Sequence, residues 1–100
     1  MIKHIVLWKL KKNAEGATAE ENGKRAVADF DALRSKISYL VSIESGLDFN
    51  RSGAAWDLGL VTTFKTREDL DLYQNQPDHV KIKGFLGKVA EDRCVVDFEY

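Results

Sequence analysis

Residues 63–79 read TFKTREDLDLYQNQPDH, and they carry the transition on which the fold turns. Upstream, WDLGLVTTFK (56–65) places Trp56, Leu58, Leu60, Thr62 and Phe64 at every second position, the period of a strand with one buried face. After Lys65 the period changes. Thr66 precedes Asp69 by three residues, as an N-cap residue precedes its N3 position, and Leu70 and Tyr73 fall on one side of the helix that follows. That helix has to end near Pro77, because the residue before a proline disfavours helical angles. Beyond the break, His79, Ile82, Leu86 and Val89 share one face of a further short helix. The joint between the two helices therefore gathers a tyrosine, the only proline and one of two histidines.

Working outward, IKHIVLWKLK near the N-terminus is rich in β-branched and aromatic residues and reads as a first strand. One face shows Ile2, His4, Val6, Trp8 and Leu10; the other shows Lys3, Ile5, Leu7 and Lys9, apolar at its centre. Thr18 and Glu21 have the form of a capping box, and Ala26, Phe30, Leu33 and Ile37 recur at helical spacing, predicting a helix from about Thr18 to Lys36. YLVSIESGL (39–47) alternates as a second strand, with Tyr39, Val41 and Ile43 on its buried side. DFNRSGAAW (48–56) is the tip of a long hairpin, and RCVVDFEY (93–100) closes the chain as a fourth strand.

The order is βαββαβ. It predicts an α+β, ferredoxin-like fold: a four-stranded antiparallel sheet with its helices on one face. Ile5, Leu7 and Val61 then point into the uncovered face, and an apolar patch of that kind marks an interface. A second copy laid sheet against sheet closes a barrel across a two-fold axis, so a homodimer is expected.

One hundred residues suffice for a single core, so residues 1–100 are expected to form one domain. A formal charge of −1 leaves no surplus to drive binding to nucleic acid or an anionic membrane. The RNA-recognition fold shares the strand and helix order, but it needs exposed aromatics on its central strands, where LGLVTTF stands here. The N-terminal residues read neither as a signal peptide nor as a membrane span, and the lone Cys94, expected to be a small buried strand residue, suits a reducing compartment. The expected location is cytoplasmic.

The opening KHIVLWKLK, the glycine-bearing loop before strand three, the Tyr-x-x-x-Pro-x-His cluster at 73–79 and the closing VVDFEY together resemble the stress-responsive dimeric α/β-barrel (Dabb) family. The resemblance spans nearly the whole chain. It implies a dimeric α/β barrel, each sheet supplying half of it with helices packed outside. One branch, a plant polyketide cyclase of the olivetolic acid type, uses a His and a Tyr in a pocket between sheet and helices. Carried over, these fall on His79 and Tyr73, with His4 nearby. More distant relatives include small monooxygenases whose site residues do not map onto this chain.

The chemistry suits those residues. Imidazole, with an ordinary pKa of about 6.5, can take a proton from an activated carbon at neutral pH, and a phenol can donate to the oxygen that becomes charged. His4, Val6, Trp8, Leu60, Thr62, Leu70 and Ile82 are expected around the pocket beside His79 and Tyr73. No metal or cofactor is required, and two histidines without a third ligand make a poor metal site. Lys83 and Arg93, where the cyclase branch is apolar, favour a smaller ligand with an acidic group. A competing reading makes Tyr73 and His79 purely structural, in an interaction module whose pocket is filled by Trp8, Phe30 and Phe85.

Overall fold

The computed structural model describes residues 1–100. Its elements are β1 (Ile2–Leu10), α1 (Ala19–Ala32), β2 (Ser42–Leu47), β3 (Leu58–Phe64), α2 (Arg67–Gln74), α3 (Pro77–Val89) and β4 (Ala90–Glu99). The sheet runs β2-β3-β1-β4 with every neighbouring pair antiparallel, the ferredoxin-like topology. All helices lie on one face.

Strand β1 alternates as its sequence requires: Ile2, His4, Val6, Trp8 and Leu10 are buried, while Lys3, Ile5 and Leu7 are half-buried and Lys9 is exposed. The buried row meets the inner face of β3, pairing His4 with Thr62, Val6 with Leu60 and Trp8 with Leu58. Helix α1 begins at a full capping box, with Glu21 N donating to Thr18 Oγ1 at 3.2 Å and Thr18 N donating to Glu21 Oε1 at 3.0 Å. Hydrogen bonds donated by the Thr18 backbone N–H first and the Thr18 hydroxyl second hold the Glu21 carboxyl below its ordinary pKa. The helix lies close on the sheet because Gly23 has no side chain; a methyl there would run into Leu47 Cδ2. Ala26 and Phe30 continue the buried stripe, joined by Leu33 and Ile37 after the helix tightens into a 3₁₀ turn at Leu33–Ser35.

The joint at Pro77 is built from caps. Thr66 Oγ1 accepts from Asp69 N at 3.1 Å to start α2, which stops at Asn75. Gln76 caps α3, its Oε1 accepting from His79 N at 2.8 Å, and Pro77 occupies the first turn, where its missing N–H leaves nothing unpaired.

Several expectations are corrected. Strand β2 starts at Ser42 rather than Tyr39: residues 37–40 close a turn, Leu40 N donating to Ile37 O at 3.3 Å, so Tyr39 lies outside the strand and Val41 is exposed. Trp56 precedes β3 and sits in the hairpin loop, with Lys9 Nζ 4.9 Å from its ring centre. Strand β4 starts three residues earlier than expected, directly from α3. A hairpin pairing Asn13–Ala14 with Ala17–Thr18 was not anticipated; it turns through Glu15 and Gly16, both at positive φ. Cys94 is exposed, because β4 is an edge strand and the face it shares with Leu7 is uncovered in the protomer. That outer face also shows half-buried Ile5, Leu7 and Val61 and exposed Val96 and Phe98. No helix is long and apolar enough to cross a membrane.

Candidate functional site

On the roofed side of the sheet, α1 presses down over β2 and β3, but nothing fully covers β4. Val95 faces the helices yet keeps 40% exposure, and the gap beneath α3 opens into a cavity of about 300 Å³. His4, Val6 and Trp8 of β1 and Leu60 of β3 line it from the sheet. From α3 come His79, Lys83 and Leu86, spaced so that they fall on one helical face, while Arg93 of β4 stands at the mouth.

The two imidazoles meet different surroundings. His4 is 3% exposed, and its Nδ1 contacts Asp97 Oδ1, the residue directly opposite it on β4. A carboxylate accepts, so Nδ1 carries a hydrogen. His79 is 4% exposed, and its Nδ1 lies 2.8 Å from the Tyr73 carbonyl oxygen. A carbonyl also only accepts, so this Nδ1 too carries a hydrogen. Burial pushes the His79 pKa down to about 4; the Tyr73 carbonyl opposes this, and Lys83 and His4 reinforce it. His79 is therefore neutral at pH 7.

Tyr73 is fully buried and not part of the cavity wall. Its ring stacks on His79 with centroids 3.8 Å apart and lies edge-on to His4 at 6.1 Å. Its hydroxyl is the one buried side-chain polar atom without a hydrogen-bond partner, and desolvation, aided by Tyr39, raises its pKa so that it stays a phenol.

Of the other expected pocket residues, Val6, Trp8 and Leu60 line the cavity. Thr62 does not: it is fully buried, with Oγ1 donating to His4 O at 3.4 Å. Ile82 packs into the core, and Leu70 borders a separate hollow beside Ile2 and Arg67. Trp8 and Phe30 stack on each other at 5.7 Å as a wall, and Phe85 lies away from the cavity under the Arg25 guanidinium, 4.0 Å from its ring centre. Asp97 is the candidate site residue that sequence reasoning missed. Pairing β1 with β4 in antiparallel register would have found it, since His4 faces Asp97 just as Trp8 faces Arg93.

The family described as "Stress responsive A/B Barrel Domain" matches residues 2–100. No curated protein matches the sequence. Among solved structures, the chain is similar to a dimeric protein of unknown function with a ferredoxin-like fold from Bacteroides fragilis. The two are 33% identical over 99% of this chain and 95% of that one, with a TM-score of 0.84. A dimeric ferredoxin-like protein of unknown function from Thermobifida fusca is 21% identical over 99% and 90% of the two chains, with a TM-score of 0.85. Hydroxynitrile lyase from Passiflora edulis is 17% identical over 97% and 90%, with a TM-score of 0.78. At those lower identities the likeness is one of fold.

Proposed function

The chain belongs to the stress-responsive A/B barrel domain family, and we propose that it works as a homodimer, binding a small organic molecule under its helices and drawing a proton from it with His4. The observation that carries this reading is the shared cavity, in which two imidazoles, each with Nδ1 tied to an acceptor, stand in opposed environments. Asp97 fixes the orientation of His4 and supplies a counter-charge for the imidazolium formed when Nε2 takes a proton. His79, held neutral by burial, accepts a hydrogen bond from the ligand instead. Tyr73 orients His79 through its carbonyl and ring from outside the cavity wall.

An α-proton next to a carbonyl is the substrate feature this arrangement suits, as in an aldol-type ring closure. One neighbour of the same fold is described as a hydroxynitrile lyase, which supports a catalytic use of such a scaffold. The reading as an interaction module with a collapsed pocket is disfavoured by the open cavity and by Phe85 lying elsewhere.

The test is hydrogen–deuterium exchange at the α-carbon of small aryl ketones and β-keto acids, followed by proton NMR in D₂O. The wild type accelerates exchange, and His4→Gln slows it by about 100-fold or more, the usual contribution of a positioned base. Exchange at the buffer rate, or exchange indifferent to His4→Gln, rejects the assignment.

The homodimer is supported by the outer sheet face, where Val96 and Phe98 are 52% and 44% exposed beside Ile5 and Leu7, and by relatives described as dimeric. Gel filtration with light scattering checks it: the wild type elutes as two chains and Val96→Asp as one, whereas a monomeric wild type rejects the barrel.

A further inference from the structure

We propose that the ligand is a monocarboxylate, its acid group held at the cavity mouth by Arg93 with Lys83 facing it; this rests on the cavity being a ligand site, as read above. The chain has five arginines, and four are engaged by acids. Arg25 lies 3.9 Å from Asp29, Arg34 3.0 Å from Asp31, Arg51 2.7 Å from Asp57 and Arg67 2.7 Å from Glu99. The Arg93 guanidinium makes no hydrogen bond or ion pair within the protein, and it alone of the five lines this cavity. Its cross-strand partner is Trp8, so it lies on the helix-facing side of the sheet and away from the outer face.

A free guanidinium beside an aromatic wall suits a planar carboxylate, which it can bind through two parallel N–H donors. Lys83 stands one helical turn beyond His79, its Nζ donating to Gln74 O at 2.7 Å and leaving two further ammonium hydrogens for a ligand. The mouth also carries Glu91 and Asp92. Asp92 Oδ1 accepts from the Arg93 backbone N–H at 2.8 Å, so that carboxylate is turned partly to the main chain. Two cations set against two acids tolerate one added negative charge and disfavour two. Deeper in, Val6, Trp8, Phe30, Leu60 and Leu86 offer an apolar slot. At about 300 Å³ the cavity is at the small end of the ligand-pocket range, roughly 300 to 1,000 Å³. The fitting class is an aromatic or short aliphatic acid that also carries a ketone, whose activated α-carbon approaches the two histidines.

Matched pairs of benzoate, phenylacetate and 3-phenylpropanoate with their neutral amides test this by titration calorimetry on the full chain. The best acid binds about tenfold tighter than its amide, as expected for a charge-assisted contact. That preference shrinks in about 1 M salt, where the screening length is about 3 Å. Arg93→Gln abolishes the preference while leaving amide affinity within about twofold, and Lys83→Gln halves it. Amides that bind as tightly as the acids, or a preference that survives Arg93→Gln, overturn the carboxylate assignment and leave the ligand site standing. Binding by neither acids nor amides overturns both.

Discussion

The roofed face of the sheet has a packed half and a hollow half. Over β2 and β3, α1 sits close enough that a methyl on Gly23 would displace the Leu47 side chain, and Ala26, Leu33, Ile43 and Leu58 are each at most 1% exposed. Over β1 and β4, α3 stands clear of the edge strand, and the gap is lined by two histidines that Asp97 and the Tyr73 ring contact from outside its wall. The packed half carries the apolar burial that stabilises the fold, which lets the hollow half keep polar groups in low-dielectric surroundings without filling the space between them.

The difference predicts unequal costs for the same truncation. Leu58→Ala, in the packed half, should cost about 4 kcal/mol in urea unfolding, because the removed atoms leave a void that α1 cannot relax into. Leu86→Ala, on the cavity wall, should cost about 2 kcal/mol, since part of its surface already faces open space. Equal costs would mean that the cavity is closed in solution.

The hollow half should also dominate the acid sensitivity of the fold. The His79 pKa is depressed in the folded chain, so below about 6.5 the unfolded chain binds a proton that the folded one refuses. Its contribution to stability is complete above that pH and is lost as pH falls toward 4. The expected loss attributable to His79 is about 2 kcal/mol between pH 7 and pH 4.5. His79→Gln should flatten the unfolding curve over that window, and an unchanged slope would show that His79 is hydrated.

Much of the packed half was legible beforehand. Alternation in β1 and β3, the capping box at Thr18 and the break at Pro77 are local patterns that tertiary packing then respects. The errors have physical causes of their own. Tyr39 and Val41 continue the alternation of β2, but the chain spends them on a turn that period two does not reveal. Cys94 lies in an apolar run, yet burial depends on what covers a strand, and β4 is an edge. The site was legible only in part: His4 and His79 stood out as the sole histidines, whereas Asp97 depends on strand register and the free state of Arg93 on where the other acids go.

The central claim is that two imidazoles, each with its Nδ1–H tied to an acceptor, share a cavity with different partners behind them. Nitrogen-15 NMR of histidine-labelled protein, titrated from pH 8 to about pH 4, addresses it directly. Both rings should carry a hydrogen on Nδ1, and His79 should keep a bare Nε2 and stay neutral near pH 5. A His79 that gains its second proton near pH 6.5, or either ring with a bare Nδ1, would contradict the account.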